Sequence, residues 1–304
     1  MSRAVIVTAA ITGAVHIPSM SPYLPLTPEQ IIDETIAACK AGASVAHLHA
    51  RDPENGRPSS DPVLVKKIVD GVRAQCDIII CVTTGGAIGM SVEERLAAVP
   101  VCKTELASCN AGTINFNFSG IANKIKEPLY EWEIPHVKNT HNLAFINTFQ
   151  GIEDYVRIMH ENGTVPEFEI YDVGMINNLA YFVNNGTLKG KIYLQFVMGI
   201  LGGIPATVSN LVFLLQSAQN TFGDNFVWSC AAAGKEQFEL VTAAMILGGG
   251  VRVGLEDNLF LSRDILAKSN AESVEKICSI AKMLDYDIAT PDEARERLLT
   301  ASSL

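Results

Sequence analysis

Residues 44–52 read Ser-Val-Ala-His-Leu-His-Ala-Arg-Asp, a short apolar run that carries two histidines at alternate positions. Such a run, bounded by polar residues, predicts a buried β-strand. Side chains at positions i and i+2 of a strand point to the same face, so His47 and His49 project together, with Arg51 next in line. Because neutral imidazole is the commonest metal ligand, this strand predicts an element of the sheet and part of a metal site.

A second motif, Val-Arg-Val-Gly-Leu-Glu-Asp-Asn at residues 251–258, adds a carboxylate. Two imidazoles and a carboxylate form a common ligand set of catalytic zinc, which keeps one coordination position open. We therefore predict that His47, His49 and Glu256 bind Zn²⁺. The alternative is a pair of core histidines that are hydrogen-bonded to the backbone.

Strand and helix signals alternate along the remaining sequence. Strands are expected at 4–12, 45–51, 77–83, 103–110, 165–172, 191–199, 225–232 and 251–255. Helices are expected at 27–41, 60–75, 91–99, 147–161, 175–185, 207–222, 235–247 and 271–284. Repeated βα units in one chain predict a single α/β domain over residues 1–304, a closed (β/α)8 TIM barrel. An open Rossmann-like sheet is the competing fold, but residues 85–89 match only part of its G-x-G-x-x-G fingerprint.

The closed ring brings the two motifs together. Strands two and eight both neighbour strand one, so their carboxyl ends meet at the end of the barrel where such enzymes place their active sites. The irregular segment 114–146 follows strand four, and we expect this insertion to lie over that catalytic face. Thr83, Gly86, Ser108 and Glu169 are expected at the same end. Hydroxyls beside a glycine-rich turn suit a carboxylate, although the turn at 83–86 is equally well explained as a tight connection to the next helix.

The composition excludes several other functions. The formal net charge is -10 without a basic stripe, which argues against a nucleic-acid partner. No apolar run reaches the roughly 18 to 20 residues of a membrane span, and we interpret the apolar start of the chain as a strand rather than a signal peptide. The seven cysteines include no C-x-x-C pair and lie largely in apolar runs, so we expect reduced thiols in a cytoplasmic protein.

Seven motifs together carry a family resemblance. They are Thr8 to Gly13, His47 to Arg51, Thr83 to Gly86, Glu105 to Thr113, Pro166 to Glu169, Gln195 to Gly199 and Arg252 to Asn258. These motifs resemble the beta-keto acid cleavage enzymes, typified by 3-keto-5-aminohexanoate cleavage enzyme, over almost the whole chain. The resemblance implies a zinc-dependent barrel that converts a β-keto acid and acetyl-CoA into acetoacetate and a new acyl-CoA. It also implies a homo-oligomer, a tetramer in such enzymes.

The resemblance assigns roles to particular residues. It implies that His47, His49 and Glu256 hold the zinc, and that Thr83, Gly86 and Ser108 bind the carboxylate end of the substrate. It makes Arg252 and Asp257 an acid/base pair and Glu169 a polar wall of the pocket. The chemistry agrees with these residue types, because a metal polarises a ketone, and Claisen chemistry needs a base that Arg252 can hold in position. A salt bridge without a catalytic role is the alternative for Arg252 and Asp257.

Two departures from the typical enzyme bear on specificity. Val15 stands where that enzyme has an acidic residue that meets the substrate's ammonium group. We therefore predict that Val15 contacts a β-keto acid with a neutral or apolar side chain. The segment 116–147 is also longer, and its lysines 124, 126 and 138 are expected either to approach CoA phosphates or to belong to a solvated or subunit-contacting loop.

Other classes of protein remain open at this point. A zinc hydrolase of the amidohydrolase type carries His-x-His on strand one and further histidines after strands five and six, where this chain has none. A lyase of the HMG-CoA-lyase type needs an acidic residue and an arginine on strand one, and residues 4–13 have no charged side chain. A non-catalytic barrel that binds a metal is the third alternative.

Overall fold

Eight parallel strands close into a barrel in the computed structural model, which describes residues 4–85 and 90–299. Each strand pairs with its neighbours in sequence order, and the last pairs with the first. The strands are β1 (Val7–Ala10), β2 (Val45–Leu48), β3 (Ile79–Val82), β4 (Leu106–Asn110), β5 (Val165–Ile170), β6 (Ile192–Met198), β7 (Phe226–Ala232) and β8 (Gly250–Val253). The predicted (β/α)8 TIM barrel is confirmed.

Helices connect the strands and surround the barrel. They are α1 (Pro28–Ala41), α2 (Pro62–Arg73), α3 (Val92–Leu96), α4 (Ala98–Cys102), α5 (Glu133–Asn139), α6 (Phe149–Glu161), α7 (Val173–Asn184), α8 (Val208–Phe222), α9 (Gln237–Ile246), α10 (Asn270–Met283) and α11 (Pro291–Leu298). The start of α1 illustrates how local sequence fixes these boundaries. Thr27 accepts a hydrogen bond from the Gln30 amide, Gln30 accepts one from the Thr27 amide, and Pro28 is the first helical residue.

The C-terminal helix closes the amino end of the barrel. Ala294 and Leu298 of α11 are fully buried and join a cluster with Val45, Ile79 and Leu106 from the lower ends of the strands. Complete burial of one leucine side chain contributes about 1.5–3 kcal/mol. Because this end is sealed, the carboxyl ends of the strands form the accessible mouth.

The inserted segment after β4 is more regular than expected. Residues Ile114–Asn115 and Ala144–Phe145 pair as an antiparallel ribbon, and between them lie two short 3₁₀ turns and helix α5. The carboxylate of Glu133 on α5 is fully buried and accepts hydrogen bonds from the amides of Ser19 and Leu129. The segment is thereby tied to the loop that follows β1.

The expected helix at 91–99 is two short helices, α3 and α4, and α11 was not expected. Within the described residues, none of the helices is both long enough and apolar enough to span a membrane. All seven cysteines carry free thiols.

Candidate active site

Three side chains from β2 and the loop after β8 meet at the mouth of the barrel. His47 Nε2 lies 3.2 Å from His49 Nε2 and 3.6 Å from Glu256 Oε1, and His49 Nε2 lies 3.3 Å from the same oxygen. Gly254 allows the chain that carries Glu256 to pass close to β1. Its φ is +139°, and a Cβ at this position would lie only 2.3 Å from the carbonyl oxygen of Ala10. The two motifs that the sequence analysis paired therefore do lie together.

The three atoms fit the demands of a tetrahedral metal ion. With metal–ligand bonds of about 2.0–2.1 Å and tetrahedral angles, neighbouring ligand atoms are separated by about 3.3 Å. Burial lowers the pKa of His47 well below its ordinary value, although the charge of Glu256 opposes this, so the ring is the neutral species that binds metals. Glu256 Oε2 is buried and has no hydrogen-bond partner among the described residues. The donor set thus fits a divalent cation.

Arg252 on β8 connects the metal-binding group to a second carboxylate. Its Nε and Nη2 donate to the two oxygens of Asp257 at 2.9 and 3.0 Å, and Nη2 also donates to Glu256 Oε1 at 2.7 Å. Nη1 lies 3.7 Å from Glu169 Oε1. One buried guanidinium therefore faces three buried or nearly buried carboxylates.

The carboxylates around Arg252 differ in acidity. Burial raises the pKa of Asp257, and the positive charge of Arg252 only partly offsets this. Burial also raises the pKa of Glu169 to about 7, again against the charge of Arg252. Burial opposes ionisation of Glu256 as well, but His49 and Arg252 outweigh it and hold the pKa of that carboxyl well below its usual range. Asp257 is consequently a stronger base than Glu256, as suits a group that takes up a proton.

A cavity of about 1270 Å³ opens above these groups. Its wall includes all three proposed metal ligands, together with Arg252, Asp257 and Glu169. The inserted segment contributes aromatic and imidazole side chains to the opposite wall, namely Phe116, Phe118, Trp132, His136 and Phe145. The volume exceeds that of a small β-keto acid, so the cavity has room for part of a second, larger substrate.

The remaining predicted substrate-binding residues are placed differently from one another. Val15 and Thr83 line the cavity. Ser108 is buried, and its hydroxyl accepts a hydrogen bond from the Thr84 amide at 3.2 Å. Asn110 also lines the cavity, and the sequence analysis missed it. It lies two residues after Ser108 on β4, so its side chain is on the same face of the strand and could have been predicted from that spacing. Gly86 lies outside the described residues.

Arg51 has a different position from the one that the strand pattern predicted. β2 ends at Leu48, and the fully buried guanidinium of Arg51 turns toward the loop after β1. It donates to the carbonyl oxygens of Thr12, Gly13, His16 and Gly56 at 2.8 to 3.0 Å. Arg51 therefore shapes the loop that carries Val15.

Two histidines missed by the sequence analysis line the cavity together with Val15. His16 Nδ1 lies 2.7 Å from the carbonyl oxygen of Leu255, and His136 Nε2 lies 3.2 Å from that of Ala14. A carbonyl oxygen only accepts, so each of these nitrogens carries the proton. Burial lowers the pKa of His16 to about 4, so its ring is neutral at pH 7. Burial also lowers the pKa of His136. This part of the cavity wall therefore combines an apolar side chain with two neutral imidazoles.

Arg95 is a further cation of the cavity wall that the sequence analysis missed. It donates to the carbonyl oxygens of Thr84 and Ile146 and to the side chain of Asn147, and it stacks on the rings of Phe145 and Tyr155. It thus joins the turn after β3 to the inserted segment. The lysines at 124, 126 and 138 are exposed and do not belong to the described lining of the cavity.

Sequence comparisons match the chain over nearly its whole length. A sequence model of the beta-keto acid cleavage enzyme family matches residues 4–299. The 3,5-dioxohexanoate:acetyl-CoA acetone transferase of Paraburkholderia graminis is 45% identical over 296 residues, covering 97% of this chain and 96% of that enzyme. The 3-keto-5-aminohexanoate cleavage enzyme of Acetoanaerobium sticklandii is 38% identical over 294 residues, covering 96% of this chain and 97% of that enzyme.

Solved structures support the architecture. The ternary complex of ObcA with a C4-CoA adduct and oxalate has a TM-score of 0.75 at 20% identity, and the match covers 91% of this chain and 67% of that chain. At this level of identity the similarity concerns the barrel fold alone.

Proposed function

The chain belongs to the beta-keto acid cleavage enzyme family, and on that premise we propose that it is a zinc-dependent acyltransferase acting on a β-keto acid with a neutral side chain and on acetyl-CoA. One observation carries this proposal. The compact group of His47, His49 and Glu256 and the Arg252–Asp257 pair line a single cavity, so a metal held by the first group and a base in the second would reach the same bound molecule.

The products define which bonds change. A β-keto acid R–CO–CH₂–COO⁻ and acetyl-CoA give acetoacetate and R–CO–SCoA. The bond between C2 and C3 of the substrate breaks, C2 joins the acetyl carbonyl carbon, and the CoA sulfur moves to the R–CO group. The attacking carbon is therefore C2, and the proton that must leave C2 is removed by a base.

The base that we assign is Asp257. Its pKa is raised by burial, and Arg252 fixes both of its oxygens, so it presents an oriented carboxylate with increased proton affinity. To the guanidinium of Arg252 we assign the stabilisation of negative charge that develops on the substrate oxygens. His47, His49 and Glu256 would hold a zinc ion, which would supply the Lewis acidity needed to polarise the C3 ketone.

The carboxylate end of the substrate is assigned to the turn after β3 and to β4. We expect Thr83, Ser108 and the backbone of Gly86 to donate hydrogen bonds to it, as the family resemblance implies. Arg95 strengthens this assignment, because its guanidinium holds the carbonyl of Thr84 and adds positive charge beside the turn. Glu169 forms the polar wall opposite.

The side chain of the substrate is assigned to the wall formed by Val15, His16 and His136. This wall offers no carboxylate to an ammonium group, whereas the second nitrogen of a neutral imidazole accepts a hydrogen bond from a hydroxyl. The enol form of a β-diketone presents such a hydroxyl. Together with the 45% identical relative named for 3,5-dioxohexanoate, this makes 3,5-dioxohexanoate the first substrate to test.

The experiment supplies purified protein with 3,5-dioxohexanoate and acetyl-CoA that carries ¹³C in both acetyl carbons. We expect acetoacetate labelled at C3 and C4 and unlabelled acetoacetyl-CoA, both identified by mass spectrometry. Free CoA without a new acyl-CoA would identify a hydrolase, and product formation without acetyl-CoA would identify a lyase. Either result excludes the proposed transfer.

A further inference from the structure

A carboxylate lies in the interior of the barrel beneath the metal-binding group. Glu167 of β5 is completely buried, and its Oε1 is 3.8 Å from Nδ1 of His47, which approaches from β2 on another side of the ring of strands. The interior of such a barrel is normally filled by branched apolar residues. Because burial of a carboxylate is costly unless its charge is compensated, this residue calls for an explanation.

We propose that Glu167 is a positioning residue that accepts the Nδ1 proton of His47 and so directs Nε2 of that ring toward the metal. The inference rests on the metal assignment in the proposed function. It extends that assignment to a residue that does not touch the metal or the substrate.

The hydrogen bonds of His47 support this role. Its Nε2 faces His49 and Glu256, while its Nδ1 is buried and has no hydrogen-bond partner within the described residues. A separation of 3.8 Å is about 0.9 Å longer than an ordinary N–H···O bond, so a small rotation of the ring or the carboxylate closes it. Glu167 is the acceptor within reach.

A polar network holds Glu167 in place from below. Gln195 Nε2 donates to Glu167 Oε2 at 3.3 Å, and Ser229 donates to Gln195 Oε1 at 2.8 Å. The hydroxyls of Ser229 and Tyr193 are 2.8 Å apart, and Cys81 Sγ donates to Glu167 Oε1 at 3.6 Å. The carboxylate is thus oriented by donors on one side and faces His47 on the other.

The charge of Glu167 also needs a cation. Among the described residues, His47 is the only group that lies within ion-pair distance of it. With a divalent ion on Nε2, the Nδ1 proton would be more acidic and the imidazole would carry positive charge toward the carboxylate. Carboxylates in this relation to a metal-bound histidine are common, and their loss typically weakens metal binding 10- to 100-fold.

A second metal site that includes Glu167 is the alternative to this hydrogen bond. His47, Cys81 and Glu167 lie close enough together to hold a metal of their own. One imidazole cannot direct Nδ1 to a metal and donate its proton to Glu167 at once. Two bound zinc ions per chain, falling to one in Glu167→Gln, would therefore overturn the proposal.

The test measures zinc binding by competition with a chromophoric chelator in wild type and Glu167→Gln. We expect about one zinc per chain in both, with 10- to 100-fold weaker affinity in the variant. The control is Glu161→Gln, which removes an exposed carboxylate of α6 that pairs with Arg157, and it should keep wild-type affinity. Equal affinity in wild type and Glu167→Gln overturns this proposal alone, whereas wild type that binds no zinc overturns the metal assignment as well.

A second measurement needs no substitution of Glu167. In zinc-loaded wild type with ¹⁵N-labelled histidine, the resonances of His47 are assigned by comparison with His47→Asn. We expect a proton on Nδ1 and the metal shift on Nε2. A proton on Nε2 with the metal on Nδ1 contradicts the proposal.

Discussion

Arg252 binds both oxygens of Asp257, with 2.9 Å between Nε and Oδ2 and 3.0 Å between Nη2 and Oδ1. The same Nη2 lies 2.7 Å from Glu256 Oε1. The proposed base and a proposed metal ligand therefore share one buried cation. Because these residues are adjacent in sequence, the short turn after β8 holds the proposed base and the proposed metal ligand on the same guanidinium.

Replacement of Asp257 by asparagine tests the proton-transfer role. Asparagine keeps the size of the side chain but is not a base, so kcat should fall about 10²- to 10⁴-fold. Zinc content should not change, because Asp257 lies outside the ligand group. Asp264→Asn, at an exposed position nearby, is the control and should be fully active. Turnover close to wild type in Asp257→Asn would mean that Asp257 forms only a structural salt bridge with Arg252.

Metal content tests the ligand group directly. We expect about one zinc per chain in protein purified without chelators, because three ligand atoms lie 3.2 to 3.6 Å apart. His47→Ala and Glu256→Gln should lose this zinc and the activity with it, and His141→Ala, at an exposed histidine, should keep both. Stoichiometric zinc in the first two variants, measured by elemental analysis, would disprove the assignment.

The pH dependence of stability tests the environment of Glu169. Burial raises its pKa from 4.5 to about 7, so between these values the folded protein keeps a proton that the unfolded chain has released. The contribution of this residue to stability is therefore greatest below pH 4.5 and falls as the pH rises to 7, by about 3 kcal/mol at roughly 1.4 kcal/mol per pKa unit. In metal-free protein, the stability of Glu169→Gln relative to wild type should thus increase as the pH rises from 5 to 8.

Urea unfolding at the two pH values measures this difference. Glu161→Gln removes an exposed carboxylate and serves as the control, with no such pH-dependent gain. A constant difference between Glu169→Gln and wild type from pH 5 to pH 8 would mean that Glu169 ionises normally in the folded protein.

The sequence predicted the barrel because short runs rich in apolar and β-branched residues alternate with periodic helical stretches. It also predicted which ends meet, since closure of the ring fixes β8 and β2 on either side of β1. The meeting of His47 with Glu256 followed from topology alone. These inferences needed no knowledge of side-chain conformation.

Features that depend on local chain direction were not accessible in this way. The sequence placed Arg51 beside the histidines because it assumed that the strand continues, but the regular pairing of β2 ends at Leu48. Helix α11 was missed because its short, charged sequence buries only two residues, Ala294 and Leu298. The proximity of Glu167 to His47 could not be predicted for a different reason. Contacts across the barrel interior depend on how far each strand is shifted along the barrel axis relative to the others.

Substitution of Val15 by glutamate tests the proposed substrate class. Val15 offers no charge to an ammonium group, and a buried cation without a partner costs several kcal/mol. Wild type should therefore cleave 3,5-dioxohexanoate with a kcat/KM about 100-fold or more above that for 3-keto-5-aminohexanoate, since each 1.4 kcal/mol is a factor of ten. Val15→Glu should raise kcat/KM for the amino substrate and lower it for the neutral one. Val15→Gln is the matched control, because it has the size of glutamate without the charge and should lose the neutral substrate without gaining the amino one. If wild type instead prefers the amino substrate, another carboxylate receives the ammonium, and Glu169 in the cavity wall is the one to replace next.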